Sequence, residues 1–366
     1  MFQQGRRLVV GMVAVMSASL VFADGSMGTN LDVTSAKEAK SNALFIDVLD
    51  TPSTMTPLAS RSLLNGITRA GKRLVAVGAR GHILCSDDEG KSWKQASVPV
   101  SSDLTAVNFP TPQQGWAVGH DGVILHSSNG GLNWIKQLDG RAALQVVSTR
   151  YKDVGAGQFA QEIANLAQQG PDKPFLDVWF DNDRTGYAVG AFNFIFRTDD
   201  GGVTWEPWLE RTDNPKRLHL YAIRRIGDGL FIAGEQGLLL KLDPKQKKFV
   251  SLKCNYNGTF FGITGKPGVL VAFGLRGNAY RSLNGGTSWL KIETGVPTTL
   301  TGGTVTKDGR IVLVTLLGTL LVSQDNGATF SQETPKQGLP SSAITETDTG
   351  TLALVGMRGV WMQAAK

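Results

Sequence analysis

Residues 115–134 read GWAVGHDGVILHSSNGGLNW, and this stretch decides the fold because its parts recur along the chain. An apolar run bounded by glycine leads into a Gly-x-x-Gly turn, a second apolar run, and a Ser-x-Asn-x-Gly turn that closes on tryptophan. Short apolar runs between turn residues are typical of strands that are buried on both faces of a sheet. The stretch therefore predicts antiparallel strands joined by tight turns.

The second turn recurs in five copies of the pattern Ser/Thr-x-Asp/Asn-x-Gly-x-x-Trp/Phe. Their polar and aromatic members are Asp88 and Trp93, Asn129 and Trp134, Asp200 and Trp205, Asn284 and Trp289, and Asp325 and Phe330. A decayed sixth copy keeps only the aromatic residue, Phe249. We interpret these residues as structural, because Asp and Asn side chains bind turn N–H groups and large aromatics pack between units.

The closing aromatics are 41, 71, 44, 40 and 41 residues apart, which indicates an array of repeated units. A further strand precedes each unit, as at Leu104 to Phe109, and four strands at this period make a propeller blade. The seventh unit has three strands, and we expect Ala43 to Leu49 to supply the fourth by pairing with Val360 to Gln363. The sequence thus predicts an all-β, seven-bladed β-propeller of four-stranded blades over residues 43–366, closed by its N- and C-terminal strands.

The 71-residue interval contains an insertion, over residues 140–174. Phe159, Ile163, Leu166 and Ala167 recur at helical spacing, and Gly170-Pro171 would end a helix there. In a four-stranded blade this connection emerges on the same face as the Gly-x-x-Gly turns. The insertion is either an ornament packed on its own rim or an element that binds a partner.

The N-terminal 23 residues are predicted to be a signal peptide. Arg6 and Arg7 precede an apolar run from Leu8 to Phe22, and small residues stand at the expected cleavage site after Ala23. The run has 15 residues, fewer than the roughly 20 that span a bilayer. Residues 24–42 are small and polar and are expected to form a flexible leader. We therefore expect a soluble protein in an exported compartment such as the periplasm.

Composition excludes several classes of protein. The chain has 37 Lys and Arg against 31 Asp and Glu, which gives a net charge of +6. Removal of the signal peptide with its two arginines lowers the net charge to +4. A charge this mildly basic is not typical of nucleic-acid-binding proteins, so no nucleic-acid binding is predicted. Two cysteines and four histidines exclude a disulfide scaffold and make a metal site unexpected, and no cofactor is predicted. Cys85 lies in blade one and Cys254 near the junction of blades four and five, so the two are expected to be too far apart for a disulfide and to be free thiols.

The repeats resemble the Asp-box (BNR) repeats of sialidases and related propellers. Their fuller form, echoed as GYAVGAFNFIFRTDDGGVTW at 186–205, is similar to the photosystem II stability/assembly-factor family over about Ala43 to Gln363. This resemblance implies a non-enzymatic propeller, exported to the periplasm or an equivalent thylakoid lumen, that binds a reaction-centre precursor and helps to assemble a membrane complex. The expected partner is a photosystem reaction-centre protein or, in a non-photosynthetic host, an envelope complex such as an RND-type transporter; a monomer is expected.

The resemblance also implies an arginine patch on one face. We transfer it to Arg80, Arg276 and Arg358, which occupy matching turns of blades one, five and seven. Because these turns open on one face, the three arginines are expected to form a basic arc that docks an acidic segment. The opposite face carries the Asp boxes and is expected to be the more acidic of the two.

The alternative function is that of an Asp-box glycosidase, similar to a sialidase, acting on extracellular glycans. Such an enzyme needs two carboxylates that face one pocket. Asp47, Asp177 and Asp181 are the candidate carboxylates, and Tyr187 and Tyr280 are candidate tyrosines, but each is equally explained as a strand or turn residue. Carboxylates and arginines that converge in the central opening would favour this alternative. No catalytic residue is assigned.

Overall fold

The computed structural model describes residues 46–152, 163, 164, 168, 170–333, 335 and 338–364. Within these residues, 27 strands form seven antiparallel sheets that follow one another along the chain. The predicted signal peptide and leader lie outside the described residues and stay predictions. No helix in the described part of the chain is long and apolar enough to cross a membrane.

Each sheet is a meander of consecutive strands. Blade one has β1 (Leu64–Ala70), β2 (Arg73–Gly78), β3 (Ile83–Ser86) and β4 (Lys94–Gln95); blade two has β5 (Leu104–Asn108), β6 (Gly115–Gly119), β7 (Ile124–Ser127) and β8 (Ile135–Leu138). Blade three has β9 (Phe175–Phe180), β10 (Gly186–Gly190), β11 (Ile195–Thr198) and β12 (Glu206–Pro207); blade four has β13 (Leu220–Ile226), β14 (Gly229–Gly234), β15 (Leu239–Asp243) and β16 (Lys248–Ser251). Blade five has β17 (Phe260–Lys266), β18 (Val269–Gly274), β19 (Ala279–Ser282) and β20 (Leu290–Ile292); blade six has β21 (Leu300–Val305), β22 (Ile311–Thr315), β23 (Leu320–Ser323) and β24 (Ser331–Glu333). Blade seven has β25 (Ser341–Glu346), β26 (Leu352–Gly356) and β27 (Gly359–Gln363).

The blades form a closed ring. The first strand of each blade contacts the first strand of the next, and β25 of blade seven contacts β1 of blade one. These seven strands line a central channel with a cavity volume of about 190 Å³. The seven-bladed β-propeller expected from the repeat period is therefore confirmed. The decayed sixth box is also a β-hairpin, in which β15 pairs with β16.

The core lies between neighbouring blades, where the strands are buried on both faces. Trp134 of blade two is buried in one cluster with Val75 and Val77 of blade one. Phe249 of blade four meets Tyr187 of blade three edge-on, with 5.7 Å between ring centroids. Aromatic residues at the ends of the boxes thus bury their large apolar area between sheets, where it stabilises the ring most.

Closure at the N-terminus differs from the expectation. Residues 48–50 form a turn, and Leu49 is buried in the cluster shared by blades one and two. The Lys136 ammonium donates to the Leu49 carbonyl at 2.8 Å, and the Asp47 carboxylate accepts from the N–H of Leu49 at 2.9 Å. The predicted pairing of Ala43 to Leu49 with Val360 to Gln363 is thus wrong for Ile46 to Leu49, because Leu49 is buried between blades one and two and β27 pairs with β26 alone among the described residues. Residues 43–45 lie outside the described part. Blade seven has three strands in the described residues.

The insertion begins with a helix that the sequence analysis missed. Helix α1 spans Gly140–Tyr151, and the side chain of its N-cap residue, Asp139, accepts from two backbone N–H groups of the first turn. Its buried residues include Ala143, Val147 and Tyr151, which recur every four residues and pack against blade three. Of the helix predicted further on, Ile163 and Ala164 are described and helical; Phe159, Leu166 and Ala167 lie outside the described residues.

Candidate partner-binding face

The turns between the second and third strands share one geometry in blades one to five. Each is a short 3-10 turn of three residues whose middle residue has a left-handed backbone. The middle residues are Arg80 (φ 56°), Asp121 (56°), Phe192 (53°), Gln236 (51°) and Arg276 (55°). Side-chain-bearing residues adopt this conformation at a cost of about 1–2 kcal/mol.

Glycine ends four of these five turns, and in blade three Asn193 takes its place with a φ of 64°. At these glycines a side chain would collide with neighbouring backbone. A Cβ atom added to Gly237 would lie 1.8 Å from the carbonyl oxygen of Tyr256, in the connection to blade five. A Cβ atom on Gly359 would lie 1.9 Å from the carbonyl oxygen of Ser60, in the segment that leads into β1. The turns and the blade-to-blade connections therefore lie side by side at one end of the ring. We call this end the turn face.

The three predicted arginines are all exposed on the turn face. Arg80 and Arg276 are the middle residues of their turns, and Arg358 lies in the hairpin between β26 and β27. None of the three forms an ion pair with a described residue, whereas arginines such as Arg73 and Arg225 are paired with aspartates. The ring order places blades seven and one next to each other, with blade five separated from blade seven by blade six.

A fourth arginine belongs to the same region. Arg61 ends a 3-10 turn, Ala59–Arg61, and its side chain is exposed. The Arg61 Cα would lie 2.7 Å from a Cβ atom on Gly359, so its backbone packs against the hairpin that carries Arg358. Residues 51–63 belong to no repeat, so the sequence offers no pattern that would place this side chain on a face.

The turn face carries acidic residues as well as the expected arc of arginines. Blade two contributes Asp121 and blade four contributes Glu235, whose carboxylate accepts from the backbone N–H of His219 and lies 2.8 Å from its Nδ1. Burial lowers the pKa of His219 below its usual value. The opposite face is also mixed, since Asp87 of the first box pairs with Arg73. Arg80, Arg276, Arg358 and Arg61 lie in the sector from blade five to blade one.

An aromatic run crosses the other half of the turn face. Phe192 is 51% exposed, and its ring centroid lies 4.4 Å from that of His219. His219 stacks on Tyr221 at 6.0 Å, and Tyr221 meets Phe261 edge-on at 5.0 Å. Tyr221 and Phe261 line the central channel. This run joins residues from three blades, so no single repeat of the sequence predicts it.

The Asp boxes are held by hydrogen bonds within the turn. In the first box, Asp88 accepts from Ser86 Oγ and from the backbone N–H of Ser92, both at 2.8 Å, and the Trp93 indole donates to the Gly90 carbonyl at 3.1 Å. These hydrogen bonds, chiefly those from Ser92, lower the pKa of Asp88 to about 2. Asn129, Asp200, Asn284 and Asp325 accept from the same positions of their own boxes. This geometry supports a structural role for the box residues.

The candidate catalytic residues are not brought together. Asp177 lines the channel, but its carboxylate accepts from the N–H groups of Ile223 (2.8 Å) and Val178 (3.0 Å) and from the Arg224 guanidinium. Asp181 pairs with Arg225 and accepts from the Trp179 indole at 2.9 Å. Asp47 holds the turn at residues 48–50, away from both.

The two candidate tyrosines have packing roles. Tyr187 meets Trp208 edge-on at 5.6 Å, and Tyr280 meets Phe260 edge-on at 5.8 Å.

Glycoside hydrolysis requires a pair of carboxylates that face one pocket. Because Asp177 and Asp181 are each held by their own arginine and Asp47 holds a turn, these three residues do not form such a pair. Within the described residues, no group of three His, Cys, Asp or Glu side chains is arranged to hold a metal ion.

The fold and the turn face define a class of protein: a seven-bladed β-propeller that presents its turns around a narrow central channel. The chain belongs to the family described as photosynthesis system II assembly factor YCF48, whose model matches residues 28–141 and 164–318. The break between the two matched segments falls within the insertion. Membership of this family confirms the resemblance drawn from the repeats and supports a propeller assembly factor.

Two similar proteins come from strains of Synechococcus. The chain is 28% identical over 137 residues to the photosystem II assembly protein Ycf48 of Synechococcus sp. (strain JA-2-3B'a(2-13)), a match that covers 32% of this chain and 40% of that protein. It is 26% identical over 136 residues to the photosystem II assembly lipoprotein Ycf48 of Synechococcus sp. (strain CC9902), covering 36% of this chain and 32% of that protein. The chain thus spans well under half the length of these curated relatives.

Two solved structures share the fold. A structure of YCF48 bound to a D1 peptide has a TM-score of 0.63 at 14% identity, covering 84% of this chain and 94% of that chain. The structure of YCF48 from Cyanidioschyzon merolae has a TM-score of 0.60 at 15% identity, covering 86% and 98%. At this level of identity the two likenesses establish the propeller architecture alone.

Proposed function

We propose that this chain is a non-enzymatic binding protein that docks an acidic segment of a membrane-protein partner on its turn face and so helps to assemble or stabilise a membrane complex. A photosystem reaction-centre protein is the partner that the family favours. The observation that carries the proposal is the group of exposed arginines, Arg80, Arg276 and Arg358, which have no ion pair within the described chain.

Unpaired guanidinium groups suit this role. A guanidinium donates parallel hydrogen bonds to a carboxylate and stays charged at any physiological pH, so it recognises acidic side chains and a chain-terminal carboxylate. Because the three arginines are exposed and unpaired, the fold does not depend on their charge. Their common placement on one face is then explained by a ligand outside this chain.

The comparisons support the same kind of partner. One structural neighbour is a YCF48 protein bound to a D1 peptide, and the family is named for photosystem II assembly. An exported location, expected from the predicted signal peptide at residues 1–23, would place the chain beside membrane proteins. A relative described as a lipoprotein fits that location.

The test replaces Arg80, Arg276 and Arg358 together with alanine and measures binding of the D1 peptide by titration calorimetry. Exposed ion pairs contribute about 0.2–1 kcal/mol each, so three should weaken binding by roughly 3-fold to 100-fold. The melting temperature should stay within about 1–2 °C, because none of the three side chains is paired or buried. Unchanged binding by this variant, or a wild-type protein that does not bind the peptide, would contradict the proposal.

The matched control removes three positive charges from the opposite face. Lys91, Arg184 and Lys245 are exposed residues in turns at that end of the ring, and none forms an ion pair with a described residue. Replacing these three with alanine gives the same change in net charge. Equal weakening by the control would show that binding follows net charge and not the turn face.

A further inference from the structure

Blade six departs from the turn pattern of its neighbours. Its turn between the second and third strands exposes two leucines, Leu316 and Leu317, which are 44% and 62% exposed. The next turn, in blade seven, exposes Met357 at 61%. Gly, Asn, Asp and Ser usually fill such turns, and clustered exposed apolar residues mark interaction sites.

The fold does not need these apolar side chains. The blade-six turn is held by its backbone: the N–H of Leu316 donates to the Thr299 carbonyl at 2.8 Å, and the N–H of Ser341 donates to the Leu316 carbonyl at 3.2 Å. Neither Leu316 nor Leu317 belongs to a core cluster in the described part of the chain. Their apolar character therefore has no explanation within the ring.

The ring order places these apolar residues among the arginines. Leu316 and Leu317 of blade six lie between Arg276 of blade five and Arg358 of blade seven, and Met357 immediately precedes Arg358. Leu58 is 61% exposed and directly precedes the 3-10 turn Ala59–Arg61. The backbone of this turn packs against the blade-seven hairpin at Gly359. We call this sector the basic–apolar arc; it comprises Arg276, Leu316, Leu317, Met357, Arg358, Leu58 and Arg61.

We infer that the basic–apolar arc recognises a protein segment in which acidic residues flank at least one large apolar side chain. This inference rests on the proposed function and specifies its ligand. A purely acidic segment would leave Leu316, Leu317 and Met357 in water, and a purely apolar one would leave the guanidinium groups without partners. A segment that carries both kinds of residue would cover the leucines and Met357 with its apolar side chain and pair the guanidinium groups with its carboxylates.

A narrow protein segment fits the turn face better than an anionic membrane surface does. Asp121 and Glu235 lie on the same face in blades two and four. A flat anionic bilayer laid on this face would bring its negative charge near both acids, which costs energy. A peptide that follows blades five to seven meets the arginines and the leucines without approaching these acids.

The experiment uses two synthetic peptides of equal charge: four acidic residues, a central leucine and four more acidic residues, and the same peptide with a central alanine. Wild-type protein should bind the leucine peptide about tenfold more tightly. The Leu316→Ser/Leu317→Ser variant should bind both peptides with the affinity that the wild type has for the alanine peptide, within about twofold. A wild-type protein without a preference, or a variant that keeps it, would overturn the inference.

The control is a second pair of exposed leucines. Leu132 and Leu283 are 44% and 56% exposed in Asp-box turns at the opposite end of the ring, so Leu132→Ser/Leu283→Ser removes a similar apolar area there. This variant should keep the preference for the leucine peptide over the alanine peptide.

The outcomes separate the two proposals. If wild type binds neither peptide, the proposed function fails as well; if it binds both equally, only this inference fails. Leucine-dependent binding to phosphatidylglycerol vesicles, without a preference between the peptides, would overturn it in favour of a membrane surface.

Discussion

Replacing Gly237 with alanine should destabilise the ring much more than the same change at Gly268. Both glycines have a left-handed backbone, with φ of 77° and 82°, so alanine costs about 1–2 kcal/mol at either position. The Cβ atom at Gly268 would have no atom within 4 Å, whereas at Gly237 it would lie 1.8 Å from the carbonyl oxygen of Tyr256. Backbone there must move by roughly 1.5 Å, and overpacking of this kind costs about 1–3 kcal/mol more.

Urea unfolding of the two variants, followed by circular dichroism, measures this difference directly. We expect the free energy of unfolding to fall by about 1–2 kcal/mol for Gly268→Ala and by about 2–5 kcal/mol for Gly237→Ala. The melting temperatures should differ by several degrees in the same direction. Equal losses would refute the view that the Gly-x-x-Gly turns exist because the connection to the next blade passes against them.

Two further predictions concern titratable groups. The pKa of Asp88 is held near 2 by hydrogen bonds, chiefly from Ser92, so its stabilising effect is present above its usual pKa of about 4 and is lost as the pH falls towards 2. Asp88→Asn, which copies Asn129 and Asn284 of the other boxes, should therefore flatten the fall in melting temperature between pH 4 and 2; an unchanged slope would contradict this. Burial raises the pKa of Cys85 and of Cys254 to about 11, so native protein at pH 8 should react slowly with iodoacetamide and urea-unfolded protein should react much faster. Rapid labelling of either thiol in the native protein, followed by mass spectrometry, would contradict that prediction.

The repeats predicted the blades because each repeat is one structural unit. The Asp boxes and the paired glycines have the same neighbours in successive blades, so their period identifies strands and turns even where the box has decayed, as at Phe249. Both cysteines are free, as their separate blades predicted. The N-terminal segment could not be placed this way, since Leu49 is buried by contacts with two blades that no local pattern reveals.

Helix α1 was predictable and was missed. Asp139 is a good N-cap residue, and Ala143, Val147 and Tyr151 recur at a helical spacing directly after it. Arg61 and the aromatic run from Phe192 to Phe261 were not predictable. Their positions depend on contacts between side chains of neighbouring blades, and a single sequence does not give the distances between those side chains.

The central claim is that a partner segment docks on the turn face in the sector from blade five to blade one. Hydrogen–deuterium exchange of the full-length protein, with and without saturating D1 peptide, tests it most directly. We predict slower exchange in the turns around Arg276, Leu317 and Arg358, and no change in the Asp-box turns around Asn129 and Asp200. Protection confined to the Asp-box turns or to the insertion at residues 140–174 would contradict the account.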